Sequence, residues 1–300
     1  MRAKACVFVI WCLNIRITKL KAGEAMNEAH SYREALKNAK RIVVKVGSST
    51  ITYANGKRNF SQIDRLAREL SDLQNQGKEM ILVSSGAVAV GVDRLGLPAK
   101  PATIPGKQAA AAVGQGVLMH TYEKLFADYG QTVAQVLITR TEAIDRHRYT
   151  NCRNTFMELL HQRVIPIVNE NDVVALDELK IGDNDNMSAL VAGIIDADLV
   201  IILSDIDGLY TDDPHKNPLA KLIPEVPVLD EKIGRMAKGA VTKVGTGGME
   251  TKIAAANIVT DAGADMVIVN SNNLNNVNKV VAGEEIGTLF LAHKRPDFDF

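Results

Sequence analysis

Six short and nearly continuous apolar runs recur along the chain: "RIVVKV" (41–46), "MILVSS" (80–85), "TVAQVLIT" (132–139), "VIPIVN" (164–169), "LVIILSD" (199–205) and "DMVIVN" (265–270). Helical stretches separate them, such as "SQIDRLARELSDLQNQG" (61–77), which Ser61 is placed to cap and Gly77 to end. Strands this apolar are buried on both faces, which is the habit of a parallel sheet covered by helices on each side. The expectation is an α/β fold with a mostly parallel central sheet sandwiched between helices. Most of the runs lead into polar or glycine-containing segments: "GSST", "SSGA", "NEND", "SDIDG" and "NSNN". The carboxyl ends of strands form the ligand crevice of such a sheet, so the chemistry belongs in those segments.

Composition narrows the partners. Three hundred residues, 46% of them hydrophobic, support a sizeable core. Lys+Arg and Asp+Glu balance at 35 each, so no global field draws nucleic acid or an anionic membrane. Cys6, Cys12 and Cys152 show no metal-ligand spacing, and so sparse a set suits the reducing cytoplasm. Arg2 and Lys4 precede an apolar run, Cys6 to Ile15, that superficially resembles a signal peptide. It is too short to span a bilayer, and the basic "RITKLKAGEA" follows where a cleavage site would stand. Residues 1–35 are therefore expected to be a non-catalytic extension, with Met26 an alternative start.

Four segments carry most of the chemistry. In "VKVGSS" a lysine, Lys45, sits inside an apolar strand beside Gly47. Its head can snorkel to solvent, or it can meet an anionic ligand where backbone N–H groups also approach. "VSSGAVAVG" (83–91) reads as strand, tight turn at Gly86 and small-residue helix, an anion-binding arrangement that is common and weak alone. "GTGGMETK" (245–252) is a glycine-rich loop feeding a helix with Lys252 in its first turn, suited to phosphate. It is neither the dinucleotide fingerprint nor a Walker A loop.

The fourth segment is "KIGDNDNMSA" (180–189), where Asp183, Asn184, Asp185 and Asn186 open a helix whose Met187, Leu190, Val191, Ile194 and Ile195 share one apolar stripe. One capping residue suffices for a helix, and here there are four. With "VNENDVV" (168–174) it places acids and amides on neighbouring loops: Asn169, Glu170, Asn171, Asp172, Asp183, Asn184 and Asp185. A general acid/base pair and a polar cage for an amino acid are both compatible with that set. In "LSDIDGLYTDDP" (203–214), Asp205 is the candidate for Mg²⁺ or ribose, with Asp212 and Asp213 left to solvent.

Taken together and in order, "VVKVGSS", "VSSGAVAVG", "VNENDVV", "GDNDNMSALVA", "LSDIDGLYTDDP" and "GTGGMETK" resemble the amino-acid kinase family over about residues 40 to 292. Within it the "VNEND", "GDNDN" and "GTGGM" set is most similar to the branch that phosphorylates L-glutamate at the entry to proline synthesis. The resemblance implies an enzyme that uses ATP and Mg²⁺ to make γ-glutamyl phosphate. It also implies roles. Lys45 and Lys252 would stabilise the transferring phosphoryl group, and Asp185 would orient them. Ser85, Asp172 and Asn184 would hold glutamate. Ser204, Asp205 and the run Thr246, Gly247, Gly248, Met249, Glu250, Thr251 and Lys252 would contact ATP; threonine is the common residue where Ser204 stands. A kinase domain is implied over 36–300, glutamate-binding in its first part and ATP-binding in its second. The expected form is one without the PUA domain that many members carry. Feedback inhibition by proline, homo-oligomerisation and coupling to γ-glutamyl phosphate reductase are further expectations of the resemblance. Rival readings are a kinase of the same fold for another carboxylate, and an amino-acid sensor, which would be expected to lose a phosphate-site lysine.

Overall fold

The apolar runs form one sheet. The computed structural model describes residues 32–175, 183–214, 216–230, 233–234, 236 and 248–293. Among them the strands are β1 (Arg41–Val46), β2 (Glu79–Ser84), β3 (Val133–Ile138), β4 (Ile165–Glu170), β5 (Leu199–Ser204), β6 (Glu225–Val226), β7 (Asp265–Asn270) and β8 (Thr288–Phe290). They lie in the order β3-β4-β2-β1-β5-β7-β8-β6. The pairings from β3 to β7 are parallel, whereas β8 runs antiparallel to β7 and parallel to β6. That antiparallel edge was not foreseen, because strands of two and three residues are too short to show a period. From β1 the chain steps to β2 on one side, and it later returns to place β5 on the other. This reversal of direction is the switch point at which such sheets open a crevice.

Among the described residues seven longer helices cover the sheet: α1 (Phe60–Asn75), α2 (Ala87–Arg94), α3 (Ile104–Asp128), α4 (Arg146–His161), α5 (Asn184–Ile195), α6 (Met249–Ala262) and α7 (Asn276–Val281). Alternate strand residues face opposite layers. Val43, Ile81, Val83, Val168, Val200 and Ile202 pack with α4, α5 and α6. Ile42, Val44, Met80, Leu82, Leu199 and Ile201 pack with α1, α3 and α7. Fully burying one such side chain is worth about 1.5–3 kcal/mol, so β1 and β5, apolar toward both layers, anchor the sheet. Alternation also fixes the next residues along. Lys45 shares the α5/α6 side with Val43, and Ser85 shares it with Val83.

Local details depart from the sequence reading. Helix α1 is capped by Asn59, whose side chain accepts from the Gln62 amide, and Ser61 lies inside the helix. Gly77 does follow its end, at φ +94°. Helix α5 has no single apolar stripe: every residue from Met187 to Ile195 is buried, as is Asp185. A helix wedged between two others and a sheet has no wet face. Helices α2 and α3 meet backbone to backbone. A Cβ on Gly91 would lie 1.8 Å from the Ala110 carbonyl oxygen, and one on Gly114 would lie 1.8 Å from that of Ala87. Arg33, within the stretch read as an extension, is buried on the sheet's antiparallel edge. Its guanidinium donates to the carbonyls of Pro224, Glu284, Ile286 and Gly287, 3.7 Å from Glu225.

Candidate active site

Lys45 arrives from β1 and Lys252 from the first turn of α6, and both meet Asp185 at the start of α5. Lys45 Nζ lies 2.7 Å from Asp185 Oδ1, and Lys252 Nζ lies 3.2 Å from Oδ2. The three residues are 8%, 5% and 0% exposed, so the snorkelling alternative for Lys45 does not hold. Thr251 Oγ1 donates to Asp185 Oδ2 at 2.9 Å. Burial pushes the Asp185 carboxyl up, but the charges of Lys45 and Lys252 and the hydrogen bonds from Lys45 and Thr251 outweigh it. The group is held below the ordinary carboxylate range. A carboxylate so fixed holds two ammonium groups side by side, where an anion can meet both.

The cap of α5 comes one step earlier. Asp183 accepts from the backbone amides of Asp185 and Asn186, and burial raises its carboxyl above the ordinary value. The excess of polar residues at this helix mouth thus divides among separate positions: Asp183 caps, Asp185 pairs with two lysines, and Asn184 faces the neighbouring strands. Asn184 Nδ2 donates to Ser85 Oγ at 2.9 Å and to Asn169 Oδ1 at 3.0 Å. Asn169, at the end of β4, in turn donates to Gln115 Oε1 of α3 at 3.0 Å. Asp172 lies half-buried in the turn after β4. Sequence reasoning passed over Gln115; the available signal was one polar side chain in the small-residue run "AAAAVGQG" (109–116).

The segments expected to hold the nucleotide sit at the ends of β5 and β7 and the start of α6. Ser204 Oγ donates to Asp205 Oδ1 at 3.2 Å, and the Ser204 carbonyl accepts from the Ser271 amide at 2.7 Å. Asp205 is exposed. Gly248, which has no side chain to cap with, precedes α6, and the first-turn amides of a helix are a ready anion site. Glu250 is exposed there, whereas Met249 is buried in the apolar layer. Thr246 and Gly247 lie outside the described residues. Asp213 corrects the reading that left it to solvent: it is 5% exposed, with Lys216 3.0 Å away. Asp212 is exposed, as expected. Among the described residues no group of three or more His, Cys, Asp or Glu could hold a metal ion, and no helix is long and apolar enough to cross a membrane.

A model of the amino acid kinase family matches residues 40–270. The chain belongs to that family. Its relatives place it among the glutamate 5-kinases. The chain is 55% identical over 262 residues to the glutamate 5-kinase of Clostridium tetani, covering 87% of this chain and 98% of that protein. It is 52% identical over 264 residues to that of Carboxydothermus hydrogenoformans, covering 88% and 71%. Solved structures with the same fold include a T. acidophilum isopentenyl phosphate kinase, at TM-score 0.57 and 19% identity over 84% of this chain and 100% of that one. A UMP kinase from Bacillus anthracis aligns at TM-score 0.59 and 15% identity over 84% and 96%. At those identities the likeness speaks for the fold alone.

Proposed function

We propose that the chain transfers the γ-phosphoryl group of ATP to the γ-carboxylate of L-glutamate, giving γ-glutamyl phosphate and ADP at the start of proline synthesis. The observation that carries this reading is the buried Asp185 with Lys45 and Lys252 on its two oxygens. A carboxylate oxygen attacks the γ-phosphorus while the bond to the ADP oxygen breaks. The nucleophile is already ionised at neutral pH, so the step needs no general base. What it needs is alignment, and positive charge over the transferring group and leaving phosphate. Lysines supply that as compact charges. Ser85, Asn184 and Asp172 hold the amino acid; Ser204, Asp205 and the start of α6, with Thr246 and Gly247 before it, hold the nucleotide.

Mg²⁺ fits this site as a companion of ATP. Both Asp185 oxygens face lysines, and Mg²⁺ prefers water and phosphate oxygens with one or two carboxylates. Exposed Asp205 is the residue that would reach it. When bound, the ion would neutralise negative charge on the phosphates. Proline shares the α-carboxylate and ammonium of glutamate, and we propose that it inhibits by competing at the Asn184 end. The same reading makes the enzyme cytoplasmic and homo-oligomeric, its product passing to γ-glutamyl phosphate reductase. Residues 1–35 stay outside the chemistry, and among the described ones Arg33 serves the sheet edge.

The test is acyl-phosphate formation trapped with hydroxylamine, with ATP and Mg²⁺ and with L-glutamate, N-acetylglutamate and aspartate in parallel. Product from L-glutamate, cut about 10²–10³-fold by Lys252→Ala, is the expected result. Product from another acceptor alone would keep the phosphate site and overturn the substrate. No product from a folded protein would favour the sensor.

A further inference from the structure

Gln115 is buried on α3, in the layer opposite to α5, at 8% exposure. Its neighbour Gly114 closely approaches the Ala87 carbonyl, where α3 packs against α2. From there a chain of amides crosses the end of the sheet. Gln115 Oε1 accepts from Asn169 Nδ2, and Asn169 Oδ1 accepts from Asn184 Nδ2. The second Asn184 donor goes to Ser85 Oγ.

Counting hydrogens gives this chain a direction. A primary amide has two donors, and those of Asn184 are both spent. Its carbonyl is therefore the group left to meet a ligand. Ser85 accepts from Asn184, so its own hydroxyl hydrogen is left to donate. A carbonyl acceptor beside a hydroxyl donor matches an ammonium beside a carboxylate, the two groups of a free α-amino acid. Reversing Asn184 alone would set two carbonyl oxygens about 3 Å apart at Asn169, and reversing Asn169 moves the same conflict to Gln115.

We propose that Gln115 is a positioning residue: by presenting its oxygen to Asn169 it sets which way the Asn169 and Asn184 amides face, and so fits the crevice to a zwitterionic amino acid. The inference rests on the proposed L-glutamate kinase activity and goes beyond it, since Gln115 touches neither reactant. Gln115→Met removes the acceptor with little change of shape, whereas Gln115→Glu keeps it and can only accept when ionised.

The test is steady-state kinetics by hydroxylamine trapping, varying L-glutamate and ATP separately. Gln115→Met should raise the KM for L-glutamate about tenfold, the order of one buried donor left unpaired. The KM for ATP and kcat should stay within about twofold. Gln115→Glu should restore the KM for L-glutamate to within about threefold of the parent. In an Asn184→Ala background the Gln115→Met change should add almost nothing, because its route to the substrate is gone. Four results would overturn the proposal: an unchanged KM for L-glutamate in Gln115→Met, an equal rise in both KM values, additivity with Asn184→Ala, or a Gln115→Glu protein as impaired as Gln115→Met. If the methionine protein does not fold, as read by near-ultraviolet circular dichroism, Gln115→Leu carries the same comparison. An unmutated protein that makes no product from L-glutamate refutes the activity instead, and that outcome is separate from all of these.

Discussion

Around Asp185 the crevice is built from full charges buried away from water, while around Asn184, one residue back along the same helix, it is built from neutral amides and hydroxyls. The charged end is costly. A buried ion pair barely repays its desolvation, and removing one partner leaves the other stranded. The neutral end costs little once every donor finds an acceptor. On the proposed reading, charge sits where the reaction itself moves charge, because only interactions that strengthen in the transition state raise the rate. Neutral hydrogen bonds suffice where a substrate has only to be recognised and held.

That division can be broken most directly at Lys252. Lys252→Ala should lower kcat by about 10²–10³-fold, as losing one donor aimed at developing charge does elsewhere, with the KM for L-glutamate within about threefold. Asn184→Ala should do the reverse, raising the KM for L-glutamate about tenfold with kcat nearly intact. Both are read from full saturation curves in the trapping assay. If the two variants show the same kinetic pattern, the crevice is one undivided site and the distinction drawn here is wrong.

Much of this was legible in the sequence. The six apolar runs became strands within a residue or so of the expected bounds, since continuous β-type runs leave little choice. Lys45, Asp185, Asn184 and Lys252 stood out because each breaks the pattern of its own element: a charge in an apolar strand, a surplus of polar residues at a helix mouth. Gln115 did not stand out. A single polar residue on a long helix looks like any solvated position, and the glycines that let α2 and α3 meet beside it are 22 intervening residues apart. Asp213 was misjudged for a similar reason, because its burial comes from the fold of a turn-rich connector and not from a period. The edge strands β6 and β8 were too short to register.

Gly114→Ala sharpens the comparison from the structural side. Its Cβ has no room beside the Ala87 carbonyl, and backbone cannot swing aside as a side chain can. Overpacking of this kind costs about 1–3 kcal/mol, or roughly 3–10 °C of melting temperature for a chain of this size. Because Gln115 rides on the same helix turn, the surviving folded protein should bind L-glutamate more weakly while its KM for ATP is unchanged. Equal loss at both ends would mean that α3 supports the whole crevice.

Asp183 and Asp185 allow a test by pH with opposite signs. Asp185 titrates below its unfolded value of 3.8, so its stability is present above that pH and is lost as pH falls through the lower folded value. Asp183 titrates above 3.8 because of burial, so it favours the folded state below that pH and loses this as pH rises through the higher folded value. Asparagine caps about as well as aspartate. Urea midpoints should therefore show Asp183→Asn gaining on the parent between pH 4 and pH 7. The deficit of Asp185→Asn, about 3–5 kcal/mol for a broken buried pair, should stay level from pH 5 to 7.

The smallest effect is expected at Glu250, which shares the first turn of α6 with Lys252 but is exposed. An acid there favours the helix by about 0.3–1 kcal/mol through the macrodipole, yet it also opposes an incoming phosphate. Glu250→Ala should lower the melting temperature by about 1–3 °C and lower the KM for ATP by no more than about twofold, measured against saturating L-glutamate. A large rise in that KM would show Glu250 holding the nucleotide directly, and would extend the charged half of the crevice out to its solvent edge.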